Sequence, residues 1–335
     1  MNRVTFRKTI VACATLAAVL LLAIVLMSLL GSEPLPVRAS LCALASFGTN
    51  RCGLTQDQFD ILFQIRLPRI LLAAAVGGSL ATAGAGYQAL LRNPLAEPYL
   101  LGISNGAAVG TMIALVFFGS IEWTRPILAF SGALLATLAV YRLARGRAGA
   151  TPERLILAGV IVTTFLSSVI VFVTVLMDAT RIRSFTFWLL GDLSGASKAL
   201  LPVTIAVAIA GALALTLHAR SLNLLMLGER DAFDLGVEVG RVRIVVFLVA
   251  SLLVGSSVAA SGSVGYVGLV VPHLARLSLG SDNRITVPAA ALGGALFVIV
   301  ADTVARTVIA PRELPVGAIT ALIGAPLFIY LLRRA

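Results

Sequence analysis

Ten apolar stretches, each roughly long enough to cross a bilayer, follow one another along this 335-residue chain and leave little length for anything else. They fall near residues 10–30, 68–91, 99–118, 126–143, 155–177, 199–217, 243–260, 264–279, 286–308 and 315–332. A helical span needs about 20 apolar residues, and backbone in lipid must satisfy its own hydrogen bonds. The runs are too long and too poor in alternating polar residues for barrel strands. The expected fold is therefore an all-α integral membrane protein of about ten transmembrane helices, one domain over residues 1–335, with longer loops at 31–65 and 218–242. Composition agrees: 59% of residues are apolar, 12% are charged and the mean hydropathy is +1.01, far from the usage of soluble domains. Pro272, His273 and Arg276 interrupt the eighth run, which is expected to be short or broken.

Basic residues set the expected orientation. With ten spans, the side holding both termini and the loops near 92, 142–154, 218–243 and 276–284 carries 16 Lys and Arg, against 10 on the opposite side. Both termini are expected in the cytoplasm. The first apolar run follows Arg3, Arg7 and Lys8, as in a signal peptide, but about 21 apolar residues exceed the roughly 7 to 15 of a signal core, so it is read as a retained helix. Cys13 reads as a small apolar residue of that helix. Cys42 and Cys52 fall in the external loop, where an oxidising compartment allows either a disulfide or two free thiols.

Several chemistries find no footing. The net charge of +11 is dispersed between spans without a basic face or stacking aromatics, so nucleic acid is not the expected partner; anionic headgroups are. The two histidines, His218 and His273, form no metal motif, and His273 reads as packing or helix-end material rather than a ligand. Neither lysine, Lys8 nor Lys198, follows a glycine, which excludes a phosphate-binding loop. Asp302 and Arg306 share a helix face at i, i+4 and read as an ion pair, with a proton site as the alternative. No metal, cofactor or catalytic residue is expected in this chain, so a separate motor would have to supply energy.

Two local patterns stand out. Gly102, Gly106 and Gly110 repeat every four residues, a spacing that lets helix backbones approach closely, either within the chain or against a second copy. In the 218–242 loop, Gly228 and Gly236 bracket Leu227, Phe233 and Leu235 interleaved with Glu229, Arg230, Asp231 and Asp234. Two short helices around a glycine corner, or a solvated loop, fit equally.

RLPR at 66–69, QALLRNPLAEPYLLGISNGAAVG at 88–110, LAGV at 157–160, FWLLGDLSG at 187–195, GERDAFDLGV at 228–237, GLVVPHLAR at 268–276, and ADTVAR at 301–306 with ELPVGAITALIGAPLFIYLL at 313–332 occur in that order. With these motifs the chain resembles the FecCD-type permeases of iron-chelate, cobalamin and haem ABC importers over essentially its whole length. The resemblance implies a type II importer fold in an inner membrane. It also implies a homodimer, two cytoplasmic ATP-binding subunits that hold ATP and Mg, and a periplasmic substrate-binding protein. Arg66, Arg69 and Arg306 fall on positions that dock the binding protein through carboxylates; helix-end anchoring is the alternative for the first two. Gly228 to Gly236 match the coupling helices, with Gly236 as hinge and Glu229, Arg230, Asp231, Phe233, Asp234 and Leu235 at the contact. Asn93 and Leu95 match one cytoplasmic gate element. Thr151, Pro152 and Glu153 match the second, with Pro152 and Glu153 standing where vitamin B12 permeases carry small hydroxyl residues. The expected cargo is a ferric siderophore, then cobalamin, then haem, with Thr163, Thr164, Ser167 and Ser168 as candidate path-lining residues. An ion-coupled carrier is the competing class.

Overall fold

The computed structural model describes residues 6–118, 123–146, 149–195 and 200–333. Arg3, Arg147, Lys198 and Arg334, which entered the charge count, lie outside the described residues. The helices, in chain order, are α1 (Phe6–Leu29), α2 (Val37–Ala45), α3 (Gln56–Asp60), α4 (Leu67–Leu90), α5 (Ile103–Ile113), α6 (Thr124–Ala144), α7 (Pro152–Val175), α8 (Ala179–Leu189), α9 (Leu200–Leu217), α10 (Ala219–Leu227), α11 (Glu229–Asp234), α12 (Val239–Ser261), α13 (Val267–Leu279), α14 (Asn283–Thr307) and α15 (Val316–Leu332). Seven helices are long and apolar enough to cross a membrane, and three shorter apolar ones, Ile103–Phe118, Val267–Leu279 and Val316–Tyr330, complete the ten expected segments among the described residues.

The molecule is built around α4, which packs against α14, α12, α9 and α13. Helical backbone runs without a break from Gln56 to Leu90. It starts at a capping box in which Thr55 Oγ accepts from the Gln58 amide while the Gln58 side chain accepts from the Thr55 amide. Between α3 and α4 the turns widen into a π-helix over Ile61–Arg66, just before Pro68. Proline lacks an amide and crowds the preceding turn, and a wider turn relieves both problems. At about 1.5 Å per residue, 35 residues reach well past a hydrocarbon core of about 30 Å. The N-terminal part therefore extends into the 31–65 segment, where α2 and α3 form a small lobe. Leu35, Ala43, Leu54 and Leu62 are its core, and Cys42 and Cys52 are joined as a disulfide.

The eighth span is short, as expected. α13 has 13 residues with Pro272 inside, and at about 1.5 Å per residue it cannot cross a core of about 30 Å. Its Gly268 lies against Leu80 and Gly84, well inside α4. The stretch from Gly262 to Tyr266 descends to that level without helix. Its polar groups are answered by protein: the Tyr99 hydroxyl donates to the Val264 carbonyl and accepts from its amide, both at 3.0 Å, and the Glu97 carboxylate accepts from the Tyr266 amide at 3.1 Å. Irregular backbone at such depth is tolerated only when enclosed this way. Glu97 itself is extended (φ −103°, ψ 136°), the conformation that Pro98 imposes on the residue before it.

Gly106 and Gly110 pack α5 onto α6 of the same chain; a methyl group on either would overlap the carbonyl of Gly132 or Leu128. Gly102 does not belong to that face. It stands ahead of α5 with φ 73° and lies beside Val162 and Thr163 of α7. Its place in the four-residue repeat is thus a coincidence of spacing.

Candidate functional site

Two polar assemblies lie at opposite ends of the bundle. The first knits the ends of α1, α4 and α14. Arg69 holds Asp302 through two nitrogens, with N–O distances of 2.8 to 3.1 Å, and reaches Glu313 at 2.7 Å. Arg306 donates to the carbonyls of Leu30 and Met27 at 2.7 and 2.6 Å and lies 3.7 Å from Asp302. Arg66 donates to the carbonyls of Ser28 and Leu29 at 3.3 Å and to that of Glu33. The last carbonyls of a helix have no partner of their own, and here two arginines collect those of α1.

The expected Asp302–Arg306 ion pair is present, but Arg69 is the nearer partner. The docking role expected for Arg66, Arg69 and Arg306 meets a different geometry. They are 5%, 7% and 7% exposed, with their guanidiniums turned onto intrachain oxygens rather than outward. Burial inside the helix ends, satisfied by carboxylate and carbonyls, is the physical reason. Arg181, Arg183 and Arg312, with Arg38, Arg51 and Arg125, are exposed basic residues of that side, and Arg183 stacks over Phe187.

The second assembly surrounds α10 and α11. The 218–242 segment forms two short helices, and the corner between them is Gly228 (φ 143°) rather than Gly236 (φ 85°), which closes α11. Only glycine takes these angles without strain. Ala232 is fully buried and pins α11 to the bundle, while Phe233 and Leu235 are 71% and 61% exposed beside the charged Arg230, Asp231 and Asp234. Glu229, Arg230, Phe233, Asp234 and Val239 line a hollow of about 340 Å³ there. Exposed apolar side chains set among charges are the composition of a contact surface rather than of a solvated loop.

Two latches tie this element to the core. On α10, the Asn223 side chain donates to Asp282 at 2.7 Å and accepts from the amide and side chain of Asn283 at 2.8 and 2.9 Å, which fixes α10 to the start of α14. Asp282 caps α14, and the Arg284 guanidinium that donates to it holds its carboxyl down at about 2. On α11, Glu229 pairs with Arg243 of α12, a buried side chain whose other terminal nitrogen donates to the Ala150 carbonyl at 2.6 Å. Composition gave no sign of Arg243: it is one of 26 basic residues, and its partners lie 14 and 93 residues away.

Ala150 ends a two-stranded hairpin, Arg145–Gly146 with Gly149–Ala150, and leads directly into the expected gate residues. Thr151 caps α7 and Pro152 occupies its first turn, a position where a missing amide costs nothing. Glu153 is exposed and lies within electrostatic range of both Arg92 and Arg243. Asn93, beside Arg92, folds its side chain back to accept from the Leu95 amide at 2.9 Å, and Leu95 is exposed. The two expected gate elements are therefore neighbours at the same end as α11.

Of the candidate path residues, Thr163 and Ser167 face α5, where Asn105 donates to the Thr163 carbonyl and the Ser167 hydroxyl at 3.1 and 2.8 Å. Thr164 and Ser168 lie on the exposed face of α7, their hydroxyls donating to carbonyls one turn back.

Comparison with known proteins adds an independent line. The model of the FecCD transport family matches residues 16–334. A cobalamin import system permease of Halobacterium salinarum is 42% identical over 281 residues, 84% of this chain and 75% of that one. A hemin transport system permease of Yersinia pestis is 40% identical over 86% of this chain and 88% of its own. A vitamin B12 import system permease of Vibrio cholerae is 43% identical over 82% and 83%. Among solved structures, a metal-chelate type ABC transporter described in an inward-facing conformation superposes with a TM-score of 0.83 at 30% identity, covering 98% of this chain and 100% of that one.

Proposed function

The chain belongs to the FecCD transport family, as the multi-pass permease subunit of an ABC importer and not an enzyme, and from that premise we propose that two copies form the conduit for a metal chelate. The observation that carries the reading is the α10–α11 element: an exposed apolar patch, Phe233 and Leu235, on a short helix latched to the bundle beside the residues that match the family's gate. ATP-binding subunits, which hold the ATP and Mg, dock there on the cytoplasmic side. A soluble binding protein delivers cargo at the opposite end, where the exposed Arg181, Arg183 and Arg312 meet its carboxylates. Both termini are cytoplasmic, and the disulfide-bonded lobe faces the periplasm of an inner membrane.

The names of the relatives support a macrocyclic chelate, cobalamin or haem, ahead of a ferric siderophore. A proton-coupled carrier gains no support, because the buried acid it would use, Asp302, is neutralised by Arg69 and Arg306.

The test is reconstitution in liposomes with the cognate ATPase and binding protein, using cyanocobalamin, haemin and a ferric siderophore as cargo. ATP-dependent uptake of one of them is expected only with all three proteins present, and Phe233→Asp with Asp234→Ala should leave hydrolysis uncoupled from uptake. Uptake by the permease alone, driven by a salt or pH gradient, would overturn the reading.

A further inference from the structure

We infer that Arg243 is the positioning residue that carries movement of α11 to the gate turn ahead of α7. This rests on the proposed function, since it takes α11 to be the surface on which an ATP-driven partner pulls.

Arg243 stands near the start of α12, a helix whose later residues are enclosed by α4, α6 and α9. Its side chain is 8% exposed, and its two terminal nitrogens go to two different elements. One meets the carboxylate of Glu229, the first residue of α11 and 37% exposed; the other meets the Ala150 carbonyl, immediately before Thr151. The planar, rigid guanidinium fixes the angle between those two bonds, so displacement of one partner redirects the other. A lysine ammonium, a point charge on a flexible stem, imposes no such relation.

The partners at each end suit this task. Glu229 lines the hollow beside Phe233 and Asp234, so a protein seated on that patch displaces the carboxylate directly. Ala150 is buried and paired to Arg145 in the hairpin, and the residue after it caps α7. The hairpin and the first turn of α7 therefore move with the Ala150 carbonyl. Glu153, in the first turn of α7, lies within electrostatic range of the same guanidinium and of Arg92, which extends the link to the Asn93 element. The Asn223 latch on α10 holds a separate helix to α14 and does not touch the hairpin, which leaves Arg243 as the polar link from α11 to the gate turn among the described contacts.

The experiment uses the full permease assembled with its ATPase in liposomes. Cys13→Ser removes the free thiol, the Cys42–Cys52 disulfide does not react, and an environment-sensitive fluorophore is placed at Arg145→Cys, an exposed position of the hairpin. The probe is ATP with Mg and vanadate, which requires no knowledge of the cargo. In the otherwise unaltered protein the hairpin signal is expected to change on trapping. Arg243→Met should still bind the ATPase, yet its signal should fall about tenfold, within the range ordinary for coupling between sites. Arg243→Lys should recover only part of it, and Glu229→Gln, which keeps the bond to Ala150, should weaken it as well. A full signal from Arg243→Met, or complete rescue by lysine, would overturn the assignment. If Arg243→Met does not fold, Glu229→Gln alone decides, and an unaltered signal from it counts against the link. Failure of the unaltered permease to bind any ATPase would instead sink the proposed function.

Discussion

At the scale of single residues, Asp302 bears the heaviest electrostatic demand in the structure. It is fully buried and holds one guanidinium at hydrogen-bond distance and a second at 3.7 Å. Replacing it with asparagine leaves Arg69 and Arg306 close together with only the half-exposed Glu313 opposite them. Removing one partner of a buried pair costs about 3–5 kcal/mol, so Asp302→Asn should lower the thermal midpoint of the purified protein in detergent by many degrees. Exchanging Asp302 and Arg69 together for leucine should recover part of the loss, because Arg69 is no longer stranded while Arg306 keeps its carbonyl partners and Glu313 is half-exposed. A midpoint unmoved by Asp302→Asn would remove the cluster from the stability account. The i, i+4 relation of Asp302 to Arg306 was legible in the sequence because it is local. The nearer partner, Arg69, lies 233 residues away, and no spacing rule reaches that far; the resemblance put Arg66, Arg69 and Arg306 at a docking rim, and distant carbonyl and carboxylate partners enclose them.

Among elements, the tightest seams are glycine seams. α5 rests on α6 through Gly106, Gly110 and Gly132, and α4 on α14 through Gly77 and Gly294, contacts in which backbones supply the packing that lipid does not drive. Gly106→Leu should force α5 off α6 and lower the yield of folded protein, checked by gel-filtration fluorescence, whereas Ile113→Ala, at an exposed position, should be neutral. Equal behaviour of the two variants would show that the seam is dispensable. Ten apolar segments and their order could be read from hydropathy alone, as could the shortness of α13, because its proline and charges are visible. The assignment of Gly102 to the α5 seam failed because a positive φ is a property of the folded backbone and leaves no mark in residue spacing; Gly228 and Gly236 both take one, and spacing does not tell which of them joins the two helices.

For the whole molecule, sidedness carries the most consequences, since the proposed partners are distributed by it. The disulfide offers a direct readout. In intact spheroplasts, a membrane-impermeant phosphine followed by an impermeant maleimide should label Cys42 and Cys52, while inverted vesicles should stay unlabelled until lysed. The reverse pattern would place the lobe, and with it Arg181 and Arg183, inside. The balance of 16 basic residues against 10 indicates the first outcome, and the gate and coupling elements, all gathered at the other end of the bundle, depend on it.

The uninterrupted helix from Gln56 to Leu90 makes the disulfide-bonded lobe a handle fixed to the molecule's central shaft. A load pressed on that handle has no hinge to spend itself on except the widened collar at 61–66, and the remainder arrives at the buried axis as thrust or torque. A visitor landing on the outer face could thereby be felt at the far end of the protein without touching the channel walls.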